Sequence, residues 1–400
     1  MKVSFIGLGY IGLPTAIVAA AKGLDVYGVD INPEVVHNLN EGKLPISEPD
    51  LDDLFRGVLA RGNFRAGTRP QPADVFLIVV PTPVQDNHTP DISFVKEAVR
   101  SVLPYLETGN LLIIESTSPV GTTEHMRDLI FTERPELTGK IHIAYCPERV
   151  LPGNLVYELE HNDRVIGGID PEATRKAMEF YGLFVSGTLH ATNSRTAEMC
   201  KLVENSSRDV QIAFANELSI ICEKAGIDVW ELIALANKHP RVNILQPGSG
   251  VGGHCIAVDP YFIISDFPRQ SELIATARRV NNYKTEWCIE RIQAAVLDFV
   301  KTQGRKPVTA LMGLAFKPDI DDLRESPAKH IVQSVLSLEE SEFLIVEPNL
   351  SEHPVYKLTP YDNAYEQADI AVFLVRHKEF RTLEKRPDKA ILDFCNVFGK

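Results

Sequence analysis

Positive charge is not in surplus in this 400-residue chain: 41 Lys and Arg stand against 54 Asp and Glu, a net charge of −13 at pH 7. That balance argues against a nucleic-acid or anionic-membrane partner, although it leaves room for a local basic pocket. No apolar run is long enough to cross a bilayer, so no membrane partner is expected. The opening MKVSFIGLGYIGLPTA has the apolar content of a signal peptide, but glycines and a proline break it. It reads as a strand entering a turn. The six cysteines, at 146, 200, 222, 255, 288 and 395, form no CxxC pair and no framework spacing. Disulfides and structural zinc are therefore not expected, no metal site is expected, and a reducing cytoplasm fits.

What is present is ordinary globular material, 44% hydrophobic and 24% charged, in a chain long enough for two or three domains. In the first half, strand-like runs alternate with helix-like ones. KVSFIGLG, DVYGVD, ADVFLIVVPTP, NLLIIEST and KIHIAYCPE are apolar runs ending in turn residues, as buried parallel strands do, and Leu13 to Lys22 reads as a small-residue helix. From Ser194 to Gly226 apolar residues recur at helical spacing, which predicts one long helix with a face free to bury a partner subunit. A further helix is expected over Ser271 to Val300. The α/β rhythm then resumes with VTALMGLAF, FLIVEPN, ADIAVFLV and KAILDF, and QADIAVFLVRH echoes PADVFLIVVPT. The echo is either a second Rossmann-like unit or a coincidence of buried-strand composition. The expected class is α/β: two Rossmann-like doubly wound domains joined by a central helical region with one long helix. The expected divisions are residues 1–190, 191–302 and 303–400.

Gly7-Leu8-Gly9-Tyr10-Ile11-Gly12 forms a GxGxxG set between a strand and a helix, and Asp30 ends the next strand. Gly7 permits the tight turn, Gly9 lets amides approach a pyrophosphate, and Gly12 allows close helix–strand packing. A carboxylate at Asp30 accepts from both ribose hydroxyls and repels the extra phosphate of NADP, so the pattern points to NAD. Thr82 and Thr117 follow strands, where a hydroxyl reaches either the nicotinamide half of a cofactor or an ordered water; the alternative is a simple turn or cap. Glu148 and Arg149 also follow a strand, and Glu148 is either a group that orients water or a solvated loop charge. Lys201, Asn205 and Arg208 share one face of the long helix, where an amine and an amide one turn apart can hold an oxyanion.

The stretch PGSGVGGHCIAVDP sets Cys255 among glycines, with Asp259 four residues on. Core packing gives no reason for that arrangement, so Gly250, Gly252 and Gly253 are expected to expose amides and leave room for a substrate carbon at the thiol. Asp259 is either a base or the partner of a cation such as Lys201. A dehydrogenase that stops at a carbonyl needs no cysteine. One that carries an alcohol through aldehyde, thiohemiacetal and thioester to an acid does, reducing two NAD. The rival reading is a two-electron dehydrogenase with an incidental cysteine. In GLAFKPDIDDLRESPA, Lys317 and Arg324 precede a helix marked by Ser326-Pro327, which makes either an anion site or a set of solvated charges.

These motifs, with IGLGYIGLPTA, VDIN, ESTSPVG, YCPERVLPGN, NDRVIGG, TNSRTAEMCKLVENSSRDVQIAFANELS and ANKHPRVNILQPGSGVGGHCIAVDP, resemble the UDP-glucose/GDP-mannose dehydrogenase family over essentially the whole length. The resemblance implies an N-terminal NAD domain, central helices that form a homodimer, and a C-terminal domain that grips UDP. It implies Cys255 as thioester nucleophile, Lys201 and Asn205 on the oxyanion, Asp259 and Glu148 in proton transfer and hydrolysis, and Thr117 placing the water. It assigns the cofactor to Tyr10, Ile11, Asp30, Thr82, Thr117 and Arg324. To the substrate it assigns Arg149, Val150, Arg208, Gly252, Tyr261, Phe262, Phe316 and Lys317, with His239 and Arg241 from a partner subunit. Arg149-Val150-Leu151-Pro152 and His254 depart from the UDP-glucose branch and match the branch acting on UDP-N-acetylmannosamine. The implied reaction is oxidation at C6 for surface-polysaccharide synthesis, with UDP-N-acetylglucosamine and UDP-glucose as alternative substrates.

Overall fold

The computed structural model describes residues 1–46, 48–85, 88–150 and 153–399. The chain folds as two units, Met1–Glu204 with Tyr261–Asp266, and Asn205–Pro260 with Phe267–Lys400.

The first unit is built on an eight-stranded sheet: β1 (Lys2–Ile6), β2 (Asp25–Val29), β3 (Phe64–Gly67), β4 (Val75–Ile78), β5 (Leu111–Ile114), β6 (His142–Tyr145), β7 (Arg164–Gly168) and β8 (Leu189–Asn193). The spatial order is β3-β2-β1-β4-β5-β6-β7-β8, parallel throughout except between β6 and β7. Strands such as VFLI and LLII are buried at every position because helices cover both faces. The order reverses between β1 and β4, and the loops leaving those strands carry the glycine turn and Thr82. Three strands have no clear signature in the sequence. β3 is four residues long and contains an exposed Arg65, β7 ends in two glycines, and β8 has no fully buried residue. Those strands form through pairing, β8 running beside β7 from Arg164↔Leu189 to Gly168↔Asn193.

The helix Ser194–Ala225 spans 32 residues, as its periodicity predicts, and stops at Gly226 in the left-handed conformation (φ +69°). The second long helix, Glu272–Gln303, matches it in length. In the second unit their facing sides are polar: Asp209 pairs with Arg278 at 2.5 Å, Asn216 donates to Asn281 at 2.9 Å, and Lys284 donates to Ser219 at 2.8 Å. Glu223 and Arg291 continue the series at 2.5 Å. The pairs advance along both helices together, so the helices run in the same direction and the chain between them must travel back. That return segment carries Cys255. The second sheet has β9 (Val308–Met312), β10 (Glu342–Val346), β11 (Ile370–Phe373) and β12 (Ala390–Asp393) in the order β10-β9-β11-β12, all parallel. Ile289, Ile292 and Val296 of the second long helix pack on it with Ile331 and Val335 of the helix Pro327–Val335. The sequence echo reflects structure, since β4 lies beside β1 as β11 lies beside β9.

Asp209 and Arg278 are both buried, and removing one leaves an uncompensated charge. Arg278→Met is expected to lower unfolding stability by about 3–5 kcal/mol, and Asp209→Leu added to it to recover most of the loss; urea titrations of both variants check this.

Candidate active site

The glycine turn separates into residues the chain itself requires and one it does not. Gly7 has φ +103°, and a Cβ there would lie 2.2 Å from Val79 O. A Cβ at Gly12 would lie 2.1 Å from Gly7 O. At Gly9 nothing lies within 4 Å, so its bare backbone answers no internal constraint and fits a ligand approaching from outside. The helix Gly12–Ala21 begins at Ile11 without a side-chain cap, leaving its positive end to an anion. Asp30 accepts from Leu8 N at 3.1 Å and Asn32 N at 2.9 Å, which fixes the turn with the half-buried carboxylate beside it. These residues fit the pyrophosphate and ribose of NAD. Glu48, to which the sequence reading gave no role, bonds the Tyr10 hydroxyl and accepts from Gly153 N at 3.1 Å, tying the turn to the loop after β6.

Thr82 and Thr117 are half-buried beyond β4 and β5. The two loops are fastened by Ser116, whose hydroxyl accepts from Val80 N at 2.9 Å and donates to Val80 O at 2.8 Å. Glu198 accepts from Gly121 N, Thr123 N and Thr123 Oγ1 at 2.6–2.8 Å, so one carboxylate on the long helix caps the helix that follows Thr117. Glu148 is not a solvated charge. It is buried, accepting from Arg164 Nη1 at 2.7 Å and from Arg149 N at 2.6 Å. The Arg149 guanidinium is held in turn by Glu204 of the long helix at 2.6 Å. Val150 packs on the first core, and Leu151 and Pro152 lie outside the described residues. Tyr261 stacks on His88 at 4.1 Å, whereas Phe262 is only 1% exposed, so its ring serves packing rather than an open substrate surface.

The cysteine loop belongs to the second unit, and here one expectation is overturned. The spaces left by the missing side chains are filled by the protein itself. A Cβ on Gly250 (φ +139°) would lie 2.3 Å from Thr285 Oγ1, one on Gly252 2.4 Å from Glu325 O, and one on Gly253 (φ +82°) 2.8 Å from the Phe316 ring. These glycines let the loop press against the second long helix and the segment Phe316–Pro327; they do not clear substrate space. Hydrogen bonds complete the attachment: Gly248 N to Asn216 Oδ1 at 2.9 Å, Thr285 Oγ1 to Ser249 O at 3.0 Å, and Ser249 Oγ to Leu374 O at 3.1 Å. Cys255 is exposed, and its carbonyl accepts from Asp259 N at 2.8 Å, which places it one turn ahead of the helix Asp259–Asp266. Asp259 is buried, and Asn205 Nδ2 donates to its Oδ2 at 2.5 Å. Lys201 and Asn205 are half-buried on their shared helix face, and Arg208 is exposed.

Phe316 and Lys317 follow β9, both half-buried, with Lys317 Nζ 5.9 Å from the Phe316 ring. Arg324 is exposed and paired with Asp322 in its own loop at 2.7 Å. Burial pushes the Asp322 carboxyl up, but Arg324 and His254 outweigh it and hold the group below its usual range. Ser326 caps the helix Pro327–Val335 by accepting from Lys329 N, as Ser-Pro predicts. His239 and Arg241 are exposed after the helix Val229–Ala236. The second unit also repeats the first unit's turn. Gly313 N donates to Val346 O at 2.9 Å as Gly7 N does to Val29 O at 2.8 Å, with φ +104° and +103°. Glu347 takes the place of Asp30, accepting from Leu314 N at 2.7 Å, but the buried His377 lies against it at 3.2 Å. The paired GL and VD/VE strings were the available signal.

Gly12→Ala is expected to lower the thermal midpoint. Gly9→Ala is expected to leave it unchanged while weakening NAD binding roughly tenfold or more, that is by at least about 1.4 kcal/mol; calorimetry and cofactor titration of both variants separate the effects.

Residues 1–185 match the NAD binding domain of the UDP-glucose/GDP-mannose dehydrogenase family, 195–283 its central domain and 310–400 its UDP binding domain. The chain is 51% identical to UDP-N-acetyl-D-mannosamine dehydrogenase of Escherichia coli (strain K12), over 95% of this chain and 94% of that protein. It is 50% identical to NDP-N-acetyl-D-galactosaminuronic acid dehydrogenase of Ralstonia nicotianae, over 96% and 92%. Among solved structures, UDP-D-ManNAc dehydrogenase of Pyrococcus horikoshii superposes with a TM-score of 0.87 at 37% identity, covering 99% of this chain and 96% of that one. NAD is the cofactor, and with all three domains matched, the chain belongs to the UDP-glucose/GDP-mannose dehydrogenase family of NAD-dependent nucleotide-sugar dehydrogenases.

Proposed function

We propose that the protein oxidises C6 of UDP-N-acetyl-D-mannosamine from alcohol to carboxylate, in support of surface-polysaccharide synthesis. The observation that carries this reading is Cys255. Cys146, Cys222 and Cys288 are buried and Cys200 and Cys395 half-buried, whereas Cys255 is exposed on a loop fixed by hydrogen bonds and glycine contacts. NAD, when bound, accepts hydride from C6, two molecules being reduced per sugar. The Cys255 sulfur bonds to the aldehyde carbon, a thiohemiacetal is oxidised to a thioester, and water adds to the acyl carbon while the C–S bond breaks, releasing acid and thiolate. Lys201 and Asn205 donate to the C6 oxygen as it gains charge. Glu148 takes the proton of the attacking water, Thr117 positions that water, and Asp259 holds Asn205 and serves proton transfer. Gly7, Gly9, Tyr10, Ile11, Gly12, Asp30, Thr82 and Arg324 serve the cofactor; Arg149, Val150, Arg208, Gly252, Tyr261, Phe262, Phe316 and Lys317 serve the substrate, Gly252 and Phe262 through their backbone alone.

The Ralstonia relative, of nearly equal identity, supports a second reading in which the sugar is an N-acetylated nucleotide sugar of galacto configuration. The protein also acts as a homodimer in this proposal. Phe214 and Ile221, seven residues apart on the long helix, are 53% and 55% exposed, and Leu235 beyond it is 63% exposed. An apolar face of that kind is covered by a second copy, with His239 and Arg241 reaching the partner's substrate. Residues 1–190, 191–302 and 303–400 would then divide cofactor binding, assembly and UDP binding. No described helix is long and apolar enough to cross a membrane, and the scattered cysteines suit the cytoplasm.

A panel of N-acetylated UDP-hexosamines and UDP-glucose with NAD is expected to yield about two NADH per sugar with the mannosamine sugar. One NADH per sugar, or turnover of UDP-glucose alone, defeats the proposal, and selective turnover of the galactosamine sugar selects the second reading. Cys255→Ala is expected to abolish acid formation while NAD still binds. Light scattering at micromolar concentration should give twice the mass of one chain.

A further inference from the structure

Beneath the carboxyl ends of the first sheet lies a group of polar side chains with no place in the reaction above. Arg164, the first residue of β7, is 2% exposed, and Nη1 meets Glu148 Oε2 at 2.7 Å. Its Nη2 donates to Leu159 O at 3.3 Å, and its guanidinium carbon lies 5.5 Å from the Tyr181 ring centroid. Glu115, directly after β5, is also buried, and the Tyr181 hydroxyl donates to its Oε1 at 2.5 Å. Glu115 Oε2 and Arg164 Nε have no hydrogen-bond partner among the described residues. One cation therefore faces two carboxyl groups, Glu115 enclosed with it and Glu148 9% exposed.

We propose that Arg164 and Glu115 are positioning residues for thioester hydrolysis: Arg164 holds the Glu148 carboxylate in place through their direct bond, and Glu115 governs how much of the Arg164 charge Glu148 receives. The inference rests on the assignment of Glu148 to water activation. Its physical basis is that a buried net negative charge is costly, so the carboxyl group without a direct bond to Arg164 retains its proton. Burial, opposed by Arg164 and reinforced by Glu148, pushes Glu115 up to about 7. The groups facing it are Tyr181 from the helix Pro171–Tyr181, Arg164 from β7, and Glu148 and Cys146 from the loop after β6; burial pushes Cys146 up to about 12, keeping it a neutral thiol. Below pH 7 Glu115 is neutral and Glu148 has the undivided attraction of Arg164. As pH rises through 7, Glu115 ionises and shares the Arg164 charge, which releases Glu148 from part of that attraction as it meets the attacking water, and hydrolysis accelerates.

The test is pre-steady-state NADH formation with UDP-N-acetylmannosamine, together with kcat–pH profiles, for Glu148→Gln, Arg164→Lys, Arg164→Met and Glu115→Gln. Glu148→Gln should lower kcat by roughly 100-fold and produce a burst of about two NADH per site, because acyl-enzyme accumulates. Arg164→Met should give the same burst with KM little changed, and Arg164→Lys should restore part of the rate. Glu115→Gln, which preserves the shape of the neutral carboxyl, should match the wild type at pH 6 and lose its rise in kcat through pH 7. If Glu148→Gln bursts but the Arg164 variants do not, and Glu115→Gln keeps the wild-type profile, the positioning role is overturned while that of Glu148 stands. If Glu148→Gln itself turns over normally, the assignment of Glu148 fails, and this inference with it. Should Arg164→Met not fold, the Glu115→Gln profile alone decides.

Discussion

Everything proposed for Cys255 depends on a backbone pressed against its own protein more closely than any side chain would permit. At Gly250, Gly252 and Gly253 a Cβ would overlap Thr285, Glu325 and Phe316 at 2.3–2.8 Å, so the loop that carries the thiol is set by contacts available to glycine alone. The result is an exposed nucleophile on a fixed support. Asn205 and Asp259 extend that support to the long helix through a 2.5 Å hydrogen bond. An exposed thiol on a mobile loop would meet an aldehyde at random angles, whereas a stitched loop provides the orientation on which effective molarity depends.

The support below the loop is polar. Two helices of 32 residues meet through Asp209–Arg278, Asn216–Asn281 and Ser219–Lys284. Replacing buried charge by apolar side chains is often neutral for stability, so the worth of the ladder lies in register. A slip of one turn would leave each polar group buried without its partner, and Asn216 and Thr285, which belong to the same helices, bond directly to Gly248 and Ser249. Register between helices thereby becomes position at the cysteine. Burial lowers Lys284 to about 8, and the Trp287 ring, 3.7 Å from Nζ, compensates part of its lost hydration.

Much of this architecture was legible in the sequence because it is written in local patterns. The long helix was bounded within a residue by its periodicity and by Gly226, and the GxGxxG turn announced its own geometry. The strands β3, β7 and β8 were not legible, since Arg65, paired glycines and an unburied edge carry no alternation to detect. In the site, Cys255, Asn205 and Asp259 were singled out, but the sequence offered Lys201 as the partner of Asp259 where the structure gives it Asn205, and the space beside the glycines is filled by atoms of residues 285, 316 and 325, which no local pattern shows. Glu48, Arg164 and His377 were missed altogether. Each acts through a partner far along the chain, Glu48 on Gly153 and Arg164 on Glu148, and no local spacing encodes such pairs. Glu347 was missed as well, although its turn repeats that of Asp30.

The central claim is that Cys255 becomes covalently acylated by the substrate. Acid quenching within the first turnover with NAD and UDP-N-acetylmannosamine, followed by intact-mass and peptide mass spectrometry, addresses it directly. The account predicts a uronyl adduct on the peptide containing Cys255, absent when NAD is omitted. Acid product and two NADH per sugar formed with Cys255 unmodified at every quench time would contradict it.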